Sequence, residues 1–264
     1  MGVETIRKPA DTRVAVKPAF DLALRMGDNA LILAQRNAAW CGHAPALEED
    51  IALANVALDL IGQAKLWLGY AGELEGEDRS ADDLAFLRDG RDFQNVLLVE
   101  TPNGDFGQTT MRQWLYDSWH HFMLEGLKAS SDERIVEIAE KSAKEVAYHL
   151  ERSTDLVIRL GDGTDESHRR MQDALDYLWP FALELDVADD ADRAIAAAGI
   201  GPDLAGVAQK AQAYRSEALS QAMLVAPTDS VPRKGGKAGV HSEAFGFMLA
   251  EMQVLQRTHP GVKW

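Results

Sequence analysis

Apolar residues recur along most of the chain at steps of three and four, with Leu, Ile, Ala and Trp prominent among them. This spacing places side chains on one face of an α-helix. Alternating runs of β-branched residues, which are typical of strands, are few. The pattern predicts an all-α fold with four long helices, from about residue 20 or 28 to 41 and at about 48–70, 106–128 and 132–160.

Turn and capping residues define the ends of these helices. Gly42 and Pro45 end the first, and the acidic residues 48–50 place negative charge at the positive N-terminus of the second. Residues 101–104 form a turn before the third helix, and residues 131–132 cap the fourth. A short helical piece at about 82–88 interrupts the long connection between the second and third helices. Four helices with one long crossover fit a ferritin-like bundle better than a simple up-and-down bundle.

The chain is predicted to form an N-terminal arm followed by one helical domain. Residues 1–19 contain Pro9, Pro18 and several charges, so they are predicted to be extended. Residues 20–264 are apolar enough to bury one sizeable core, as 46% of the chain is hydrophobic. The bundle is predicted at about 20–160, and peripheral helices within 164–257, at about 165–184, 189–198, 203–225 and 241–257.

Charge and composition exclude several classes of partner. The chain has 27 Lys and Arg against 42 Asp and Glu, a net charge of −15, which repels nucleic acid and anionic membranes. Its single cysteine, Cys41, excludes an intramolecular disulfide. We expect no apolar run of the roughly 18 residues that a membrane span needs, and the first twenty residues lack the apolar segment of a secretory signal. These features predict a cytoplasmic protein with no nucleic-acid or membrane partner.

The first two helices are poor in the residues that bind iron. A di-iron centre in a ferritin-like bundle takes carboxylates from all four helices and a Glu-x-x-His pair from two of them. Residues 30–47 contain no Asp or Glu, and residues 51–72 contain only Asp59 and no histidine. The sequence therefore predicts that this chain binds no metal.

The third and fourth helices do contain acid and histidine pairs. Asp117 is three or four residues before His120 and His121, and Glu145 is four residues before His149. Such spacing places both members of a pair on one helix face, where they could bind a metal or hydrogen-bond to each other. Because the other two helices offer so few carboxylates, we interpret the pairs as buried remnants that satisfy each other by hydrogen bonds.

Short strings spread over nearly the whole chain resemble the structural C-type subunits of the phenylacetyl-CoA epoxidase, or ring-1,2-epoxidase, complex. Their order and spacing together are specific, although each string is short. The strings are GDN at 27–29, WCGHAP at 40–45, LAN at 53–55, LDLIGQA at 58–64, LLVE at 97–100, PNG at 102–104, GGK at 235–237 with Gly239 and His241, LAEMQ at 249–253 and LQR at 255–257.

The resemblance implies a ferritin-like paralogue of the catalytic A-type subunit that has lost its iron ligands. Catalytic relatives carry an Asp-Glu-Leu-Gly-His type of string on the second helix, so Leu60 and Gln63 stand where a glutamate and a histidine would bind iron. On the fourth helix Glu145 is kept, but Tyr148 stands in place of the histidine. His149 is shifted by one residue, about 100° around a helix, so we do not expect it to replace that ligand.

The implied function is that of a non-catalytic structural subunit in aerobic phenylacetate catabolism. It would support an iron-bearing A-type homologue that epoxidises the aromatic ring of phenylacetyl-CoA, in a heteromer that also includes other epoxidase components and leaves room for homodimeric contacts. No cofactor is expected in this chain; di-iron is expected in the partner, with NADPH-derived electrons from a separate reductase. Two alternatives stay open: a self-sufficient di-iron oxygenase, and a helical assembly or regulatory protein unrelated to phenylacetate.

Two segments are candidates for contact with phenylacetyl-CoA at a subunit interface. The first combines a cation, an aromatic ring and amides, which suit a phosphate and an adenine, and the second is a basic glycine-rich loop that could hold phosphates or an acidic partner. The alternatives are that Asp92 caps a short helix while Phe93 fills a gap, and that the loop is simply solvated. The candidates are Arg91, Phe93, Gln94 and Asn95 in the first segment and Arg233, Lys234 and Lys237 in the second.

Overall fold

The computed structural model describes the backbone of residues 12–262 and the side chains of residues 16–262. Within residues 12–262 there is no β-strand, and most residues are helical, so the all-α prediction is confirmed. Three short 3₁₀ turns occur at Gly90–Asp92, Leu183–Asp186 and Gly236–Ala238. The α-helices are α1 (Thr12–Ala38), α2 (Leu47–Glu75), α3 (Ala81–Phe86), α4 (Leu97–Glu100), α5 (Phe106–Leu127), α6 (Glu133–Gly161), α7 (Asp165–Ala182), α8 (Asp190–Ala197), α9 (Leu204–Gln221) and α10 (Glu243–Thr258).

Helices α1, α2, α5 and α6 form a ferritin-like four-helix bundle. α1 packs along α2, α5 packs along α6, and α2 meets α6 so that the two pairs enclose one interior. The long crossover from α2 to α5 contains α3, a 3₁₀ turn and α4. α7 and α9 pack on α5, and α8 packs on α1. Most residues of α5 are therefore buried all round, whereas α6 buries one face and exposes the other.

α1 begins earlier than the sequence predicts. It starts at Thr12, so residues 12–18 of the predicted extended arm are helical, while residues 1–11 lie outside the described part of the chain. Pro18 lies inside the helix, where a proline removes one backbone hydrogen bond. Residues 19–34 are almost all buried, and this tertiary packing outweighs the local penalty of the proline.

The possible helix start at 27–29 serves tertiary contacts instead of capping. α1 runs straight through these residues. A Cβ at Gly27 would lie 2.7 Å from the Leu68 side chain, so glycine lets α1 and α2 approach closely. Asp28 is fully buried and pairs with Arg88, whose Nη1 donates to Asp28 Oδ2 at 3.1 Å. The polar string therefore holds the crossover against α1.

α2 corrects one sequence expectation. By length and composition alone it is apolar enough to cross a membrane, so the expectation that no stretch approaches this length is wrong. One such helix is a weak indication, because core helices of water-soluble proteins pass the same test. In this bundle Leu60, Trp67 and Leu68 bury one face of α2. The opposite face, with Leu58 and Ile61, stays exposed, which explains why the helix is so apolar overall.

Candidate functional site

The interior enclosed by α1, α2, α5 and α6 contains a cluster of polar side chains from all four helices. This is the place where a ferritin-like bundle holds its metals. The cluster lies among apolar core residues, so its members satisfy their hydrogen-bonding groups mainly within the protein. We call it the central polar cluster; its members are Asn37, Asp59, Gln63, Gln113, Asp117, His120, Glu145, His149 and Ser153.

One half of the central polar cluster surrounds Asp117. Asn37 Nδ2 donates to Gln113 Oε1 at 2.7 Å, and Gln113 Nε2 donates to Asp117 Oδ1 at 2.7 Å. Ser153 Oγ donates to the other carboxylate oxygen, Asp117 Oδ2, at 2.9 Å. Burial raises the pKa of Asp117 to about 6, although these two donors and the neighbouring His149 oppose the shift. Both oxygens that a metal would need are thus occupied by protein donors.

The other half joins α2 to α6. His149 Nε2 lies 2.9 Å from Asp59 Oδ2, and Gln63 Nε2 donates to Glu145 Oε2 at 2.9 Å. His120 lies nearby in α5, and burial, reinforced by His149, lowers the pKa of His120 to about 3, so the ring is neutral. Every carboxylate of the central polar cluster therefore has a protein partner.

These residues do not fit a di-iron centre. Two iron ions need several carboxylates that converge on one point, with histidines beside them. α1 offers only the amide of Asn37, while α2 offers Leu60, which is apolar and buried, and Gln63, whose amide already binds Glu145. Within the part of the chain that the structure describes, no three His, Cys, Asp or Glu side chains are grouped so that they could hold a metal ion.

The structure corrects the pairing that the sequence predicts. Asp117 bonds to Gln113 and Ser153 rather than to His120 or His121, and Glu145 bonds to Gln63 rather than to His149. The acids and histidines share helix faces as predicted, but side chains from other helices and a neighbouring amide reach them first. The interpretation that the members of each pair satisfy each other is therefore wrong.

The rotation of α6 also differs from the one that the sequence suggests. Tyr148 is 57% exposed and points away from the interior, so its assignment to an interior ligand position is wrong. Glu145, His149 and Ser153 line the interior at steps of four residues. The apolar residues of α6 pack on the core along the same face and fix this rotation, which brings His149 inward despite its shift by one residue.

Sequence reasoning missed three members of the central polar cluster. Asn37, Gln113 and Ser153 are neutral, so no search for metal ligands finds them. The spacing of Gln113 and Asp117, four residues apart on α5, is the one local signal that could have been used. Asn37 becomes visible only when α1 is placed against α5, because its partner lies 76 residues away in the chain.

The candidate substrate contacts divide into two groups. Arg91, Gln94 and Lys237 line one cavity of about 460 Å³, although they lie far apart in sequence. The other four do not line it. Phe93 and Asn95 are fully buried, with the Arg88 guanidinium 4.1 Å above the Phe93 ring, and Arg233 lies over the Phe181 ring at 5.0 Å. Lys234, also absent from the cavity wall, lies on the loop before it.

The alternative for the first of these segments fits what the structure shows. Asp92 ends a 3₁₀ turn, and its carboxylate accepts a hydrogen bond from the Asp89 backbone N–H at 3.1 Å. Phe93 fills a gap in the core and meets Phe245 edge to face, with ring centroids 5.5 Å apart. Phe93 is therefore a packing residue and is not free to stack on a ligand.

Comparison with known proteins decides the family. A sequence profile of the phenylacetic acid catabolic protein family matches residues 5–264. The chain belongs to this family. It is also 48% identical over 241 residues to the C-type subunit of the 1,2-phenylacetyl-CoA epoxidase of Escherichia coli (strain K12), covering 91% of this chain and 97% of that protein. The resemblance drawn from the sequence strings is confirmed, and the family assigns the chain a role in the catabolism of phenylacetic acid.

Proposed function

We propose that this phenylacetic acid catabolic protein is a non-catalytic structural subunit of a 1,2-phenylacetyl-CoA epoxidase. The observation that carries the proposal is the central polar cluster, in which Asp117 and Glu145 accept hydrogen bonds from Gln113 and Gln63 at the place where related bundles hold iron. A bundle whose interior is satisfied in this way folds without metal. The Escherichia coli relative, named as a C-type component of such an epoxidase, supports the same conclusion.

The chemistry then belongs to the partner. An A-type homologue with a complete ligand set would hold the di-iron centre and epoxidise the aromatic ring, using electrons that a separate reductase takes from NADPH. This chain would contribute no cofactor. Like its partner, it would act in the cytoplasm, because the substrate and the reductant are metabolites of that compartment.

The exposed face of α2 is the surface that we assign to this partner. Leu58 is 65% exposed and Ile61 46%, and Leu47 and Ile51 continue the apolar stripe toward the N-terminus of the helix. A Cβ added at Gly62 would meet no atom within 4 Å, so another helix could approach closely there. A contiguous apolar face on a chain of net charge −15 is typical of an interface that is covered in the assembled protein.

Iron content and assembly test the proposal together. The full chain is purified alone and after co-expression with its A-type homologue, and iron per polypeptide is measured beside the mass from size-exclusion chromatography. We expect an iron-free chain on its own and a stable complex whose iron is explained by the homologue. The homologue expressed alone is the matched control for the iron count.

Two results would contradict the proposal. About two irons in the isolated chain would make it a self-sufficient di-iron protein. Failure to form any complex with the homologue, while each protein is folded by circular dichroism, would leave the chain as a helical protein unrelated to the epoxidase.

A further inference from the structure

A cavity of about 460 Å³ lies between α1, the crossover and the loop before α10. Four cationic side chains line it: Arg79, Arg88, Arg91 and Lys237. Asp92 is the one acidic side chain in its wall, and it accepts the Asp89 N–H. In a chain with a net charge of −15, a cavity walled by four cations and one acid is a local exception. Its size falls in the range of small-molecule sites.

Two of the cations hold the wall in place. Arg88 is buried, pairs with Asp28 through both terminal nitrogens, and also donates to the Asp92 carbonyl at 2.9 Å. Lys237 Nζ donates to Asp192 Oδ2 at 2.9 Å and to the Val187 carbonyl at 3.0 Å. These contacts use their charges within the protein and fix the shape of the cavity.

Other donors at the wall are free for a ligand. Arg91 is exposed, and its guanidinium has no carboxylate partner among residues 16–262. Arg79 binds Glu75 through Nε and Nη2, which leaves Nη1 without a bond in the described residues. Gln94 Oε1 accepts from Arg25 Nε at 3.2 Å, so the amide NH₂ of Gln94 is left as a donor. Guanidinium and amide donors in this arrangement suit the oxygens of a phosphate.

The rest of the wall is apolar. Phe20 and Leu24 from α1 and Leu84 from α3 line the same cavity. An apolar wall facing a group of cations matches a ligand that carries both a flat ring and phosphates. A simple inorganic anion would use only the cationic side.

We propose that this cavity binds a nucleotide-like phosphate ester through Arg91, Arg79 and Gln94, with its ring against Phe20. On the further basis of the proposed function, the ligand is the nucleotide end of a coenzyme A thioester. The protein would then hold the remote end of the substrate while the partner transforms the aromatic ring.

Isothermal titration of coenzyme A into the full-length chain and into its complex with the A-type homologue tests the proposal. We expect measurable binding that Arg91→Ala weakens on the order of 10-fold, because a charge-assisted hydrogen bond is lost. Arg91→Lys should recover part of the affinity. Lys234→Ala is the matched control, since it removes a cation from outside the cavity wall and should leave the affinity unchanged.

Three results would overturn the proposal. They are no binding in either sample, equal affinities for the wild type and Arg91→Ala, and a loss in Lys234→Ala as large as in Arg91→Ala. Inorganic phosphate and adenosine 3′,5′-bisphosphate are titrated in parallel. If phosphate binds as tightly as the bisphosphate, the apolar wall plays no part and the nucleotide assignment fails.

Assembly is measured in the same samples by size-exclusion chromatography. A complex that forms but shows no dependence on Arg91 rejects this site and keeps the structural role. Coenzyme A binding by an isolated chain that captures no homologue rejects the structural role and keeps the site.

Discussion

At the residue scale, His241 joins the loop before α10 to the crossover. Its Nδ1 lies 2.8 Å from Glu100 Oε2, and its Nε2 lies 3.0 Å from the Phe93 carbonyl oxygen. Because both neighbours are acceptors, the ring satisfies both when it carries two protons. Burial alone would lower the pKa of His241, but the bonds to Glu100 outweigh it and the pKa is raised.

This arrangement predicts a pH-dependent stability. A group whose pKa is raised on folding stabilises the protein below its unfolded pKa, about 6.5, and loses that contribution as pH rises through the folded value. We expect the free energy of unfolding in urea to fall from about pH 6 to about pH 8. His241→Gln should cost about 2 kcal/mol at the acidic end and flatten this slope. His43→Gln, at an exposed histidine, should keep it, and an unchanged slope in His241→Gln would refute the assignment.

Asp117 tests whether the central polar cluster is a folding device. Asp117→Asn keeps an acceptor for Gln113, and its amide can donate to Ser153, while a buried carboxylate with a pKa of about 6 is removed. We expect equal or greater stability above about pH 6 and unchanged epoxidase activity of the assembled complex. Asp117→Leu should cost about 3 kcal/mol, because its two donors are left unpaired. Loss of activity in a well-folded Asp117→Asn complex would mean that the carboxylate has a functional role.

At the scale of the element, the outer face of α2 carries the contact that we assign to the partner. Leu58 and Ile61 are exposed, so replacing both by Asp should leave the isolated chain folded. Affinity for the A-type homologue should fall by about 100-fold or more, since two charges would be buried in an apolar interface. The matched control is Val231→Asp, at a loop residue that is 79% exposed. Equal affinities of the α2 variant and the wild type, measured by titration calorimetry, would exclude this face.

Two glycines predict opposite effects of one substitution. Gly62 lies inside α2 with open space around an added Cβ, so Gly62→Ala should stabilise the isolated chain by about 1 kcal/mol through helix propensity. Gly236 faces the crossover, where a Cβ would lie 2.1 Å from the Asn95 carbonyl oxygen. Gly236→Ala should cost about 2 kcal/mol, because the loop before α10 must shift. Urea unfolding of both variants gives the signs, and a stabilising Gly236→Ala would contradict the packing.

At the scale of the whole molecule, α5 is the centre of the fold. It packs on α6, α7 and α9, and Trp114, Leu115 and Tyr116 in its middle are fully buried. Helices at the edge contribute far less to the core; in α8 only Ile195 is buried. Stability is therefore distributed unevenly across the chain.

Hydrogen exchange should reveal this distribution. Amides in the middle of α5 should open only by global unfolding and exchange most slowly, whereas α8 should exchange by local opening. Exchange followed by mass spectrometry on the full chain measures both helices in one experiment. Equal protection of α5 and α8 would mean that the molecule opens only as a unit.

Spacing along the sequence determined the helical class and most of the helices. The predictions at about 48–70, 106–128 and 132–160 correspond to α2, α5 and α6, because helix periodicity, capping residues and turns are local properties of the chain. The poverty of carboxylates in residues 30–72 was also readable directly from the sequence.

The tertiary structure alone decided how those helices face one another. Pro18 stays helical because distant residues bury the turn after it, and the packing of α6 turns His149 inward and Tyr148 outward. The partner that Asp117 finds on α6, and the convergence of Arg91 with Lys237, join positions far apart in the chain. Local spacing determines which residues share one face of a helix. Which face turns inward, and what it meets there, depends on the close packing of segments that are distant in sequence.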